Sequence, residues 1–273
     1  MSYERFGGDA LEYYPCRYGG GKTVFRGPRK RLDKPFVAFV GGAEFYGRFV
    51  EHPVSDLVED STDLHTVNFG IVNGGIDAFI HDRALMKTVN LAQVKVVQVF
   101  PAHTLSNRFY KVHPRRNDRF LQPTELLQTL YQELDFSDFH FVRHLLTSLR
   151  RVSPEKFRLV IEELQTAWTA RMRLFMSQLS GQKILFHVHD RTSRVSDPEL
   201  GPEPIFITDD MVADVGKAVD EIVTYDATET RLDTGTRGMI FDPMEEQMAA
   251  ALFPPACHDG MCEALIPAIQ KLT

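Results

Sequence analysis

The chain has 273 residues, 43% of them hydrophobic and 25% charged, with a formal net charge of -6. That length and balance suit a globular protein with a core large enough to need no staples. The net negative charge excludes a protein held to nucleic acid or to an anionic membrane by its overall field, so any anion site has to be local. Cys16, Cys257 and Cys262 are odd in number and widely separated, which argues against a disulfide framework. Residues 1–9 are polar, and no apolar run approaches the ~18 residues that span a bilayer. A cytoplasmic location without membrane contact is therefore expected.

In chain order, Tyr18-Gly19-Gly20-Gly21-Lys22 has the look of a phosphate loop but lacks the remaining Walker spacing and a preceding strand, so it reads as a turn. Residues 36–40 are a short apolar run ending in Gly41-Gly42, which predicts a buried parallel strand that feeds a tight turn. Residues 67–70, 94–100, 183–188 and 221–225 predict four more strands. Between them, residues 53–60 form a helix with Pro53 at its first position, and residues 75–89 a second. Strands alternating with helices imply βαβ crossovers.

Residues 102–182 interrupt the alternation. Their first part, 107–122, is basic and aromatic, and the remainder reads as three helices. The last of these has Ser153 as N-cap and Pro154 behind it. Phe157, Val160, Leu164, Trp168, Met172, Phe175 and Leu179 follow at three- and four-residue steps, a core stripe that ends at Gly181. A final helix is predicted over residues 261–271. The expected fold is three-layer α/β, flavodoxin-like, with a mostly parallel five-stranded sheet: one domain over residues 1–273, with a helical insertion at 102–182 through which copies of the chain would pair.

Ligands of an open parallel sheet bind outside the carboxyl ends of its strands. There, Gly41-Gly42-Ala43 with Gly47, then Asn68-Phe69-Gly70 with Asn73-Gly74-Gly75, then Pro101-Ala102-His103-Thr104, and finally His258 before the last helix, resemble in order the blocks of the SGNH (GDSL-like) hydrolases. The resemblance implies an SGNH-like fold and a hydrolase or acyl/group transferase acting on a carbohydrate or an anionic small molecule. Ala43, His103 and Pro255 stand where that family has serine, asparagine and aspartate, so the usual nucleophile is missing. The whole chain is also similar to a group of bacterial proteins forming a family of unknown function, through residues 13–19, 25–28 and 113–120.

The expected catalytic residues are His258 as base, His103 as a hydrogen-bond donor to a substrate oxygen, and Glu44 beside the missing serine. Gly42, Ala43, Asn68, Asn73, Asn107, Arg108, Arg115 and Arg116 are the expected substrate contacts. The arginines, set among Phe109, Tyr110 and Phe120, would close as a clamp on an anionic or glycan ligand. His187, His189 and Asp190 share a strand end, but no further ligand is evident, so neither a metal nor another cofactor is expected. The alternative to an enzyme is a non-catalytic anion- or glycan-binding module on a degenerate SGNH fold.

Overall fold

Short apolar runs with glycine exits form strands because both faces of each can be covered. Seven strands occur among the described residues: β1 (Val37–Gly41), β2 (Thr66–Gly70), β3 (Val94–Gln98), β4 (Tyr110–His113), β5 (Arg116–Pro123), β6 (Gln182–His189) and β7 (Glu221–Asp226). They are seen in a computed structural model, which describes residues 11–192 and 200–273. Five strands make one sheet in the order β2-β1-β3-β6-β7, with every pairing parallel. With the β4–β5 hairpin set aside, that is the flavodoxin-like order, whose switch point lies between β1 and β3. β1, β2 and β3 are buried along their whole length, as a sheet covered on both faces requires.

The covering helices are α1 (Ala43–Tyr46), α2 (Val54–Thr62), α3 (Ile76–Ile80), α4 (Arg83–Val89), α5 (Glu125–Leu130), α6 (Val142–Val152), α7 (Pro154–Gln178), α8 (Asp209–Gly216), α9 (Thr228–Thr234), α10 (Glu246–Ala249) and α11 (Pro255–Leu272). Alternating strand residues send Ala38, Val40, Val97 and Leu185 into one core with α3, α4, α7 and α8. Val37, Phe39, Val96 and Phe186 enter a second core with α2 and α11. Among the described residues, no helix is long and apolar enough to cross a membrane.

The insertion differs from its expectation in its first part. Residues 107–122 are not a loose arginine segment but run into the antiparallel pair β4–β5. Asn107 starts it: its side-chain oxygen accepts the N–H groups of Phe109 and Tyr110 at 2.8 and 3.1 Å. Tyr110 and Val112 then alternate inward against outward Lys111 and His113, a period of two that the charges obscured. The three expected helices follow as α5, α6 and α7. The Ser153 hydroxyl caps α7 by accepting the Lys156 N–H at 3.2 Å, and the expected stripe from Phe157 to Phe175 is buried. The helix between residues 75 and 89 is broken into α3 and α4 by Asp82, which caps the second piece. The last helix begins six residues before its expected start, at Pro255, and continues through Gly260. A Cβ there would lie 2.6 Å from the Tyr225 ring, so the glycine lets β7 approach α11.

Trp168, fully buried on α7, donates its indole N–H to the carbonyl oxygen of Phe100 at 2.7 Å, which locks the insertion to the chain leaving β3. Replacing it tests that lock. Trp168→Phe removes the donor, strands a buried carbonyl and opens a void, and should lower unfolding free energy by about 2–4 kcal/mol. Urea denaturation measures this, and a loss below about 1 kcal/mol would show that the indole N–H is not part of the lock.

Candidate functional site

The gap between β1 and β3 is bridged by one side chain. Gln98, the last residue of β3, accepts the Gly42 N–H on its Oε1 at 2.8 Å and donates from Nε2 to Glu44 Oε2 at 2.8 Å. Gly41, which ends β1, and Gly42, which follows it, are both needed for this. A Cβ on Gly41 would sit 2.6 Å from the Phe45 ring and 3.0 Å from Gln98 Cβ, and one on Gly42 would sit 2.9 Å from Glu44 Oε2. The bare backbone thus lets the amide cross from one strand end to the other.

Above this bridge lies a cleft of about 210 Å³. Gly42, Ala43, Glu44, Gln98 and His103 line its sheet side. Asn73 reaches it from the turn after β2, in the left-handed conformation (φ +59°) that asparagine tolerates. Asp118 of β5 and Arg143 of α6 come from the insertion, and Asp190, Glu203 and Arg231 from the C-terminal third. Asn117 fixes the hairpin against the β2 turn: its N–H donates to Asn73 O at 2.9 Å and its Oδ1 accepts the Gly75 N–H at 2.6 Å. That anchors the neighbouring Asp118. The Tyr110 hydroxyl holds the His103 carbonyl at 2.9 Å.

Two ion pairs organise the rim. Arg231 and Asp190 form one with both side chains 3% exposed, and Arg143 pairs with Glu203. What remains is notable. Among the described residues, four buried side-chain polar atoms have no hydrogen-bond partner, and three of their residues line this cleft: His103 Nδ1, Asp118 Oδ1 and Arg143 Nη1. The fourth, Arg119 Nε, belongs to a guanidinium that lies over the Phe141 ring, 4.2 Å from its centroid. Buried polar groups are normally satisfied, so three such residues around one cleft are a concentration of unused hydrogen-bonding capacity. Burial pushes the Glu44 carboxyl up from its ordinary range, against the opposing hydrogen bond from Gln98. Burial, and secondarily the charge of Arg143, hold His103 well below the ordinary histidine value. Asp118 is also raised by burial, with Arg116 and Arg119 opposing.

Of the residues expected from sequence, Gly42, Ala43, Glu44, Asn73 and His103 meet in the cleft. His258 is a correction. It lies in the first turn of α11, 1% exposed, and its Nδ1 accepts the Val54 N–H at 3.1 Å, so it caps α2 and does not line the cleft. Asn68 is likewise structural, donating to Phe45 O at 2.6 Å and accepting the Gly70 N–H at 2.8 Å. Asn107 shapes the hairpin as described above. Arg108 lies in a shallow depression against Glu163, and Arg115 and Arg116 sit exposed at the hairpin turn, so the expected arginine clamp does not reach the cleft. Arg143 and Arg231 reach it instead. Sequence reasoning missed Gln98, Asp118, Arg143, Glu203 and Arg231. Only Gln98 carried a signal, as the one uncharged polar side chain closing an otherwise apolar buried strand after Lys95.

The family described as Domain of unknown function (DUF6473) matches residues 1–273, and the chain belongs to it. No curated protein matches the chain.

The buried histidines make stability depend on pH with a definite sign. His258 is lowered to about 3 by burial, assisted by the charge of Arg26. The unfolded chain therefore binds a proton there below about pH 6.5 that the folded chain refuses. The stabilisation is complete above pH 6.5 and is lost as pH falls towards 3, at about 1.4 kcal/mol per pH unit. His258→Asn keeps an acceptor for Val54 but does not titrate. Urea midpoints at pH 7.5, 6.5 and 5.5 should show a drop between 6.5 and 5.5 that is smaller in this variant by about 1 kcal/mol. An identical pH dependence in both proteins would mean that the ring is charged in the fold.

Proposed function

We propose that the cleft is the active site of an SGNH-hydrolase-like enzyme that hydrolyses or transfers a group on a small carbohydrate or a related anionic molecule, without a serine nucleophile. The observation that carries this reading is that His103, Asp118 and Arg143, each with one unpartnered polar atom (Nδ1, Oδ1 and Nη1), line one cavity together with Glu44. The cavity's position at the β1/β3 switch point supports it, as does the presence there of Ala43 and His103, two of the positions that carry the SGNH resemblance.

The chemistry follows from one effect, burial, acting on an acid and on a base. Burial favours the uncharged form of each, so Glu44 is biased towards the protonated form and His103 towards the free base, which places a proton donor and a proton acceptor in one cleft. Neutral His103 takes the proton of an attacking water or acceptor hydroxyl as that oxygen bonds to the reacting centre. Protonated Glu44 gives its proton to the departing oxygen, and after product release His103 loses its proton to solvent while Glu44 regains one from it, which restores the starting states. Arg143 has a free N–H for an oxyanion or an anionic substituent, and Asp118 accepts from a substrate hydroxyl. No acyl-enzyme forms at Ala43. At about 210 Å³ the cleft falls below the ~300–1,000 Å³ of drug-sized sites and suits one sugar ring or a short acyl group.

The test is a screen of nitrophenyl esters, acetylated sugars and nitrophenyl glycosides against the wild type, His103→Ala and Glu44→Gln. The expected result is turnover by the wild type on at least one class, with kcat reduced about 10²–10⁴-fold in each variant. Rates that are the same in all three proteins would remove the enzyme. A ligand that binds in calorimetry, loses affinity in Arg143→Ala and is never turned over would identify a binding module, the reading that Ala43 favours.

A further inference from the structure

His187 and His189 alternate onto the same face of β6, opposite to the face that sends Val188 and Asp190 to the cleft lining. Their ring centroids are 3.8 Å apart. Asp209, the first residue of α8, completes the group: one nitrogen of each ring and a carboxylate oxygen all lie within 4.8 Å of one another. Asp190, which the sequence placed beside these histidines, is paired instead with Arg231. No side-chain hydrogen bond or ion pair joins His187, His189 or Asp209 to another described residue. His187 is only 3% exposed, and the ring it packs against is that of His189.

We infer that His187, His189 and Asp209 form a binding site for a divalent transition-metal ion of the zinc class, which fastens the start of α8 to the end of β6. Donor atoms of a tetrahedral zinc centre lie about 3.4 Å apart at bond lengths of about 2.0–2.1 Å, so modest side-chain rotation closes the group around the ion. Two imidazoles and one carboxylate suit zinc, cobalt, nickel or copper, whereas calcium and magnesium prefer all-oxygen shells. Three protein ligands leave one coordination position open. The ion would close the loop between β6 and α8, which carries Glu203 and Pro204 into the cleft and is held to Asp190 by reciprocal backbone hydrogen bonds of 2.8 and 3.1 Å. The proposal is independent of any reaction in the cleft.

The experiment uses tag-free chain stripped with EDTA and titrated with Zn(II) and Co(II) by calorimetry, with Mg(II) as control. The expected result is one Zn(II) per chain and no Mg(II). Melting temperature should rise by about 5 °C at a hundredfold excess of free metal over Kd. Affinity should fall at least tenfold in His189→Ala and in Asp209→Asn, both partly or wholly exposed positions where the fold tolerates change. Co(II) should give visible d–d bands without the sulfur charge-transfer band that Cys257 or Cys262 would produce. No stoichiometric binding, unchanged affinity in both variants, or a thiolate band would each overturn the assignment.

Discussion

Gln98 commits both halves of its amide across the gap between two diverging chain exits. Neighbouring parallel strands can share backbone hydrogen bonds only as far as their ends, and at a switch point the chains beyond those ends turn to opposite sides of the sheet. The amide bonds the backbone of Gly42 and the side chain of Glu44, which sets how far β1 and β3 part and where the carboxyl points. It does so only because residues 41 and 42 lack side chains. The cleft is the space that this arrangement leaves.

Charge in the cleft is distributed by pairing rather than by net sign. Removing Asp190 and Arg231 from water together costs desolvation that good geometry recovers only in part, so such a pair defines shape more than it adds stability. Arg231 also donates to the Ala250 carbonyl at 2.7 Å, tying the segment before α11 to the rim. With the second arginine engaged by Glu203, the groups left free are a neutral ring, a carboxyl shifted upward and one face of a guanidinium. Among the described residues, that set carries little unpaired charge of either sign.

The sheet was legible in the sequence because buried parallel strands are short apolar runs, and here β1 and β2 end in glycine. α7 was legible because its cap, its proline and its stripe agree. The hairpin was not, since Lys111, His113 and Arg116 around Tyr110 and Val112 read as charge before they read as alternation. The early start of α11 was hidden by Gly260, whose helical position makes sense only once Tyr225 is seen against it. His258 misled for a related reason: its place in the chain suits a base, but its ring lies inside that helix's contact with α2. Asp118, Arg143 and Arg231 carry no local mark at all, because what makes them neighbours is the packing of a hairpin and two helices against strand ends. Asp209 entered the histidine group in place of Asp190 because one step along a strand reverses the face.

Trp168 gives the insertion a meaning beyond anchoring. Glu44, Gln98 and His103 belong to the sheet and the turns leaving it, while Asp118 and Arg143 hang from a separate body that the indole fixes in place. The cleft thereby has a floor built from the sheet and a roof built from the insertion. The two can vary separately, because what joins them is one indole and the packing around it, and a change in the roof leaves Glu44 and Gln98 where the strands put them.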